Sequence, residues 1–289
     1  MRWSEVLRKS LGGGIPGAVA MVLQVLCLMW LRTTVNYQMV TGLSFVVALD
    51  QLYRAGGIAR FYRGVGPALL QGPLSRFGDT ASNAGILALL EKSRLPVFAQ
   101  TMCASLVAAL WRVVITPIDT VKTVMQVEGS SAAVWRRYRD LGIAGFYAGA
   151  FGTVAATFLG HYPWFLTNNF LEKKLPTATS RVKVLLRRAL IGFASSFCAD
   201  CCANSIRVLK TVTQTSAVPI GYVGALALVL KQDGVYGLMF RGLAAKIVAN
   251  GLQSILFSLL WKMMMDKANI QSSASAGTGY PRKHPRNKE

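Results

Sequence analysis

The chain has 289 residues, of which 53% are hydrophobic and 15% are charged, and its mean hydropathy is +0.40. So few charges cannot build the water-exposed surface of a soluble domain of this size. The 32 Lys and Arg residues against 12 Asp and Glu give a net charge of +20, which fits a nucleic-acid binder or a protein against anionic lipid, and the apolar composition favours lipid.

Long apolar segments predict six membrane-spanning helices. The prediction rests on uncharged runs at residues 11–31, 95–111 and 247–261, because a helix of about 20 apolar residues is long enough to cross a bilayer. The six predicted spans lie near residues 11–40, 65–92, 95–126, 149–173, 186–213 and 242–266. The polar, basic residues 271–289 predict a disordered tail.

Three short segments between the spans predict surface helices, at residues 43–54, 132–141 and 222–232. In the second, apolar side chains are expected to face lipid and arginines to face lipid headgroups. The apolar set is Val134, Trp135 and Tyr138, and the basic set is Arg136, Arg137 and Arg139.

The five cysteines lie inside apolar segments, three of them as Cys198-x-x-Cys201-Cys202. This spacing admits a metal or redox site, but the histidines His161 and His284 are distant in sequence and no second cysteine pair supplies four ligands. We therefore expect small buried residues of membrane helices and no metal site.

One block of sequence occurs three times. Gly57-Ile-Ala-Arg-Phe-Tyr-Arg-Gly64 recurs as Gly142-Ile-Ala-Gly-Phe-Tyr-Ala-Gly149, and again, with one extra residue, as Gly234-Val-Tyr-Gly-Leu-Met-Phe-Arg-Gly242. The period is about 85 to 93 residues. A repeat of this length predicts three copies of one structural unit, near residues 11–92, 95–174 and 186–268.

A second block precedes the middle copy and reads Thr116-Pro117-Ile118-Asp119-Thr120-Val121-Lys122, followed by Gln126. A proline inside a membrane helix removes a backbone hydrogen bond and bends the helix, which turns the following acid and base toward the bundle axis. The signature residues of both blocks are Pro117, Gln126, Gly57, Gly64, Gly142, Gly149, Gly234 and Gly242.

Together the two blocks resemble the mitochondrial carrier family, whose repeat reads Pro-x-acid-x-x-base, then acid-Gly, then aromatic-base-Gly. The resemblance covers residues 11–268 and implies a single all-α membrane domain of six helices in three pseudo-repeats, with short amphipathic helices on the matrix side. It implies a multi-pass protein of the mitochondrial inner membrane, with a small solute and an anionic lipid such as cardiolipin as partners. Nucleic acid and a cofactor are not expected.

The resemblance also implies a matrix-side gate of ion pairs after each proline. In this sequence only the middle repeat keeps both its acid and its base. Arg207 occupies the acid position of the third repeat, and Arg32 occupies that of the first. An alternative alignment of the first repeat, shifted by one residue, places Leu31 there instead. The expected gate residues are Arg32, Asp119, Lys122, Arg207 and Lys210. As the single acid, Asp119 is predicted to pair with Arg207, Lys210 or Arg32.

In this family the substrate contacts the even-numbered membrane helices, at positions beyond the second glycine of each repeated block. Positions seven to twelve residues after these glycines are predicted to line one cavity. They include Gln71, Arg76, Thr157, His161, Asn250 and Ser254. Arg76 has an alternative role as the partner of Asp79, and His161 as a hydrogen-bonded interior residue.

Two functions of different classes fit these patterns. The first is transport of a small, anionic metabolite by alternating access, favoured by the repeats and the basic gate positions. The second is a carrier-fold protein that no longer transports and serves as a structural subunit of a respiratory complex, favoured by the missing gate acids. An enzyme is not expected, because Gly12-Gly13-Gly14 lacks the trailing Lys-Ser/Thr of a phosphate loop and no catalytic cluster is present in the sequence.

Overall fold

The computed structural model describes residues 3–90, 97–176, 180–216, 218, 220–253 and 255–256, with the main chain alone described for some of these, including residues 3–20 and Arg76. Within this part of the chain the regular structure is helical and contains no strand. The predicted tail at 271–289 lies outside the described residues.

Ten α-helices and one short 3-10 helix follow one another through the described residues. They are α1 (Trp3–Thr41), α2 (Phe45–Arg54), α3 (Gly57–Phe61), α4 (Val65–Leu90), α5 (Val97–Glu128), α6 (Ser131–Leu141), the 3-10 helix (Ile143–Tyr147), α7 (Ala150–Lys174), α8 (Arg181–Thr215), α9 (Tyr222–Phe240) and α10, which begins at 243. The predicted surface helices correspond to α2, α6 and the first half of α9, which breaks at Gly234.

The long helices α4 and α5 pack together, as do α7 and α8, while α1 contacts α4, α5 and α8. Helix α10 lies against α1, because the Gln24 amide donates to the Gln253 carbonyl at 2.8 Å. In the part of the chain that the structure describes, four helical stretches are long and apolar enough to cross a membrane: Met102–Glu128, Ile143–Lys174, Leu186–Thr215 and Tyr222–Gln253.

Large apolar side chains form stripes on the outer faces of the long helices. Their spacing of three or four residues places each stripe on one helix face. The stripes are Leu106, Leu110 and Val114 on α5, Leu159, Tyr162, Leu166 and Phe170 on α7, and Leu186, Leu190, Phe193 and Phe197 on α8. Ionisable residues such as Asp119 and Asp200 are buried instead. A protein surrounded by lipid requires this arrangement, with apolar side chains on its outer surface and polar side chains in its interior.

The cysteines were expected to be buried, and for most of them this was wrong. Cys27, Cys103, Cys201 and Cys202 are exposed at the protein surface, and Cys198 is half-buried. An apolar thiol needs no water, so an outer helix face in contact with lipid accommodates it.

The repeat glycines adopt left-handed backbone angles that other residues rarely tolerate. Gly64 and Gly149 have φ of +85° and +86°. A Cβ on Gly64 would also lie 3.0 Å from the Lys122 carbonyl oxygen of α5, so these glycines permit close approach of two helices.

Gly64→Ala is expected to destabilise the protein by more than about 1–2 kcal/mol, because left-handed strain adds to the contact with α5. Gly66→Ala, two residues away in α4 with no atom within 4 Å of its Cβ position, is the matched control and should change stability by less than about 1 kcal/mol. Thermal unfolding in detergent measures both. Equal melting temperatures for the two variants would contradict this reading of Gly64.

Candidate functional site

A cavity of about 540 Å³ lies between the long helices. Four of the six residues predicted to meet substrate line it, namely Gln71, Thr157, His161 and Asn250. The Arg76 side chain and Ser254 lie outside the described residues. The cavity is therefore bounded by α4, α7 and α10 at positions that the repeat spacing pointed to.

Basic side chains dominate the charged part of the cavity wall. Among the described residues, the wall carries Arg32 on α1, Arg112 on α5, Arg207 and Lys210 on α8, and Lys246 on α10, against one acid, Asp200. Such a surface attracts anions, since a water-excluding wall weakens the screening of its charges.

Sequence analysis did not identify Arg112 or Lys246. A usable signal existed, because each is an isolated charge in an otherwise apolar stretch: Arg112 is the single charge between Arg94 and Asp119. A lone charge in a membrane helix faces a cavity or a partner more often than lipid. The Arg112 guanidinium lies 3.4 Å from Ser75 Oγ.

Asp200 joins α8 to α10. Its carboxylate accepts from the Arg207 guanidinium on one oxygen and from the Asn250 amide on the other, and its side chain is 5% exposed. The acid thus already has two partners, and it holds Arg207 at the cavity wall.

Asp119 lies between two lysines where the C-terminal parts of α5 and α8 meet. Its oxygens are 2.8 Å from Lys122 Nζ on the same helix and 2.6 Å from Lys210 Nζ on α8. The predicted ion pair between Asp119 and a neighbouring odd helix is confirmed, with Lys210 as the partner. We call Asp119, Lys122 and Lys210 the gate cluster.

Neutral hydrogen bonds connect the helices on either side of the gate cluster. Asn36 Nδ2 on α1 donates to Gln126 Oε1 on α5 at 2.6 Å, and Gln214 Nε2 on α8 donates to Thr120 Oγ1 at 3.0 Å. Amides therefore link α1 to α5 and reinforce the ion pair between α5 and α8.

Two equivalent hydrogen bonds decide between the two alignments of the first repeat. Thr33 Oγ1 donates to the Phe61 carbonyl at 2.7 Å, and Thr120 Oγ1 donates to the Phe146 carbonyl at 2.7 Å. Since Phe61 and Phe146 match in the repeated block, Thr33 matches Thr120. Arg32 therefore occupies the position of Asp119, as the first alignment had it.

The expectation that Arg137 faces lipid headgroups was wrong. Its guanidinium is buried and donates to the carbonyl oxygens of Gly145, Ser216 and Thr213 at 2.9, 3.1 and 3.3 Å. Gly145 lies in the 3-10 helix, whereas Thr213 and Ser216 lie at the end of α8, where carbonyls lack helical partners. A planar guanidinium can satisfy several carbonyls at once.

Two further buried arginines behave similarly. Arg60 donates to the carbonyls of Gln126 and Val127 at the end of α5, and Arg241 donates to that of Val40 at the end of α1. Burial lowers the pKa of Arg60 and of Arg137 from its ordinary value. Each arginine thereby attaches a connecting segment to a long helix.

Over the described residues, the fold and the cavity are those of a helical membrane protein with a polar, positively charged interior. Residues 93–178 match the family model described as mitochondrial carrier protein. This match supports membership of the mitochondrial carrier family, with Asp119 as the one acid at the signature positions of the sequence. No curated protein shows significant sequence similarity to it.

Proposed function

We propose that this chain transports a small anionic metabolite across the mitochondrial inner membrane by alternating access. The family match supports solute transport in general. The negative charge of the substrate is inferred from the cavity wall, where five basic side chains and one acidic side chain lie within the described residues. A cation would meet strong repulsion there, whereas an anion would gain charge-assisted hydrogen bonds.

The proposal includes the six-span layout in three repeats. It is supported by the helix order long, short, long, which occurs three times, and by the left-handed glycines in each repeated block. The gate cluster closes one end of the cavity in this arrangement, and opening would require the pair between Asp119 and Lys210 to separate.

Reconstitution into liposomes tests whether the protein transports an anion. Purified protein in liposomes should exchange labelled anions, and a panel of carboxylates, phosphate, nucleotides and amino acids identifies the class. We expect carboxylates or phosphate to be carried and basic amino acids to be excluded. Protein-dependent uptake of basic amino acids alone would contradict the anionic assignment.

A second function is favoured by one observation. Within the described residues, the gate cluster joins α5 to α8 by an ion pair, whereas α1 and α5 are joined nearby by a hydrogen bond between neutral amides. A structural subunit of a respiratory complex would not need ion pairs that open and close. Co-migration with such a complex on native gels, together with no uptake of any solute, would support this role.

A further inference from the structure

Helix α10 is joined to both α1 and α8 by polar side chains that line the cavity. On the α1 side, the Arg32 guanidinium donates to Gln253 Oε1 of α10 at 2.6 Å. On the α8 side, Asp200 accepts from the Asn250 amide of α10 and also from the guanidinium of Arg207. Arg32 and Arg207 occupy the acid positions of the first and third repeats, so contacts through α10 connect the two odd helices at which the gate acid is replaced by a base.

An apolar cluster joins the same helices. Its buried members are Val35 and Met39 of α1, Val208 and Val212 of α8, and Ala225 and Val229 of α9, and Ala245 of α10 packs against them. The four members from α1 and α8 are each no more than 5% exposed. Separating α1 from α8 would bring these side chains into contact with water in the cavity, which the hydrophobic effect opposes.

The contacts that α5 makes near the gate cluster are polar instead. Asp119 pairs with Lys210 of α8, Thr120 accepts from Gln214 of α8, and the contact with α1 described above is a hydrogen bond between amides. Ions and amides that separate into a water-filled cavity regain hydrogen bonds to water, so little free energy is lost. The protein can therefore separate α5 from its neighbours more easily than it can separate α1 from α8.

We propose that α1, α8 and α10 form one unit that stays joined, and that the cavity opens past the gate cluster by movement of α5 away from this unit. The inference deepens the proposed transport function and rests on it, because it specifies which helix moves. The threefold repeat alone would favour equal separation of the three odd helices. Equal separation is not expected here, because α1 and α8 share the apolar cluster and are both bound to α10.

Two cross-links in proteoliposomes distinguish the moving helix from the joined unit. Met39 Sδ of α1 lies 3.7 Å from Thr211 Oγ1 of α8, and both residues line the cavity. Bridging Met39→Cys with Thr211→Cys, after the native cysteines are replaced by serine, should leave at least about half of the anion exchange of the reduced protein. The matched control bridges Thr120→Cys with Gln214→Cys across α5 and α8, and its cross-link should lower exchange more than about 10-fold.

The labelling of single cysteines tests the same unit without measuring transport. Thr120 near the gate cluster and Val208 in the apolar cluster are both 0% exposed, so a thiol at either position reacts only when the surrounding helices separate. In the background without native cysteines, Thr120→Cys should react with a polar maleimide at least about 10-fold faster than Val208→Cys. Both variants should react at the same rate after unfolding in detergent.

Equal labelling rates of the two folded variants, whether fast or slow, would overturn the inference. Failure of the transport function is distinguishable from this result. Exchange by the reduced protein that stops when Met39→Cys is bridged to Thr211→Cys overturns the joined unit and leaves transport intact. Faster labelling of Thr120→Cys than of Val208→Cys, without exchange of any solute by the cysteine-free parent, supports the joined unit and removes transport.

Discussion

Asp119→Asn should lower the stability of the folded protein by about 3–5 kcal/mol, since it leaves two buried ammonium groups without a counter-charge. The Asp119 side chain is 10% exposed, and those of Lys122 and Lys210 are 16% and 18% exposed, so water screens the cluster poorly. The expected result is a melting temperature lower by roughly 10 °C in detergent.

Asp140→Asn on α6 is the matched control. Its side chain is 60% exposed and lies 3.8 Å from Arg139, so the change should cost no more than about 1 kcal/mol. The double variant Asp119→Asn with Lys210→Gln should recover part of the loss, because it removes one of the two facing cations. A melting temperature for Asp119→Asn equal to that of Asp140→Asn would show that the ion pairs of the gate cluster do not stabilise the folded protein.

Arg137→Ala is expected to destabilise the protein by about 3 kcal/mol, because it leaves three carbonyl acceptors, one in the 3-10 helix and two at the end of α8, without their charged donor. The same change detaches α6 from α8. Limited proteolysis should therefore cleave the segment around 142–149 faster than in the unmodified protein, and thermal unfolding should occur at a lower temperature.

Arg136→Ala on the same helix provides the comparison. Its side chain is 62% exposed and pairs with Glu128 at 3.1 Å, so it should change stability by less than about 1 kcal/mol. If both arginines were headgroup contacts, the two variants would behave alike in detergent and both would show weaker binding to anionic liposomes. That outcome would contradict the buried position of Arg137.

The helical architecture was predictable because lipid imposes strong constraints on sequence. Apolar runs marked the long helices, and the repeated Gly57 and Gly142 blocks marked the connections between them. The orientation of α6 was not predictable to the same degree. Arg136, Arg137 and Arg139 all occupy one short basic helix, and a sequence does not reveal which of them meets free carbonyls at the end of another helix.

The site was predicted in part. The acid in the intact block led to the pair between Asp119 and Lys210, because one acid among several bases has few alternatives. Lys246 and Arg112 were missed because the family pattern drew attention to positions seven to twelve residues after each glycine, and Lys246 comes only four residues after Gly242. Their positions at the cavity wall depend on how distant helices pack, which single-sequence spacing does not encode.

Alternating access requires α5 and α8 to separate at the gate cluster, and a cross-link tests this most directly. Thr120 and Gln214 join these helices by a 3.0 Å hydrogen bond. The variant Thr120→Cys with Gln214→Cys, made after the native cysteines are replaced by serine, can be bridged with a short reducible thiol cross-linker in proteoliposomes. We predict that the cross-link abolishes anion exchange, that reduction restores it, and that each single-cysteine variant is unaffected. Full exchange by protein shown to be cross-linked, or no exchange by the cysteine-free parent for any solute, would contradict a transporting carrier.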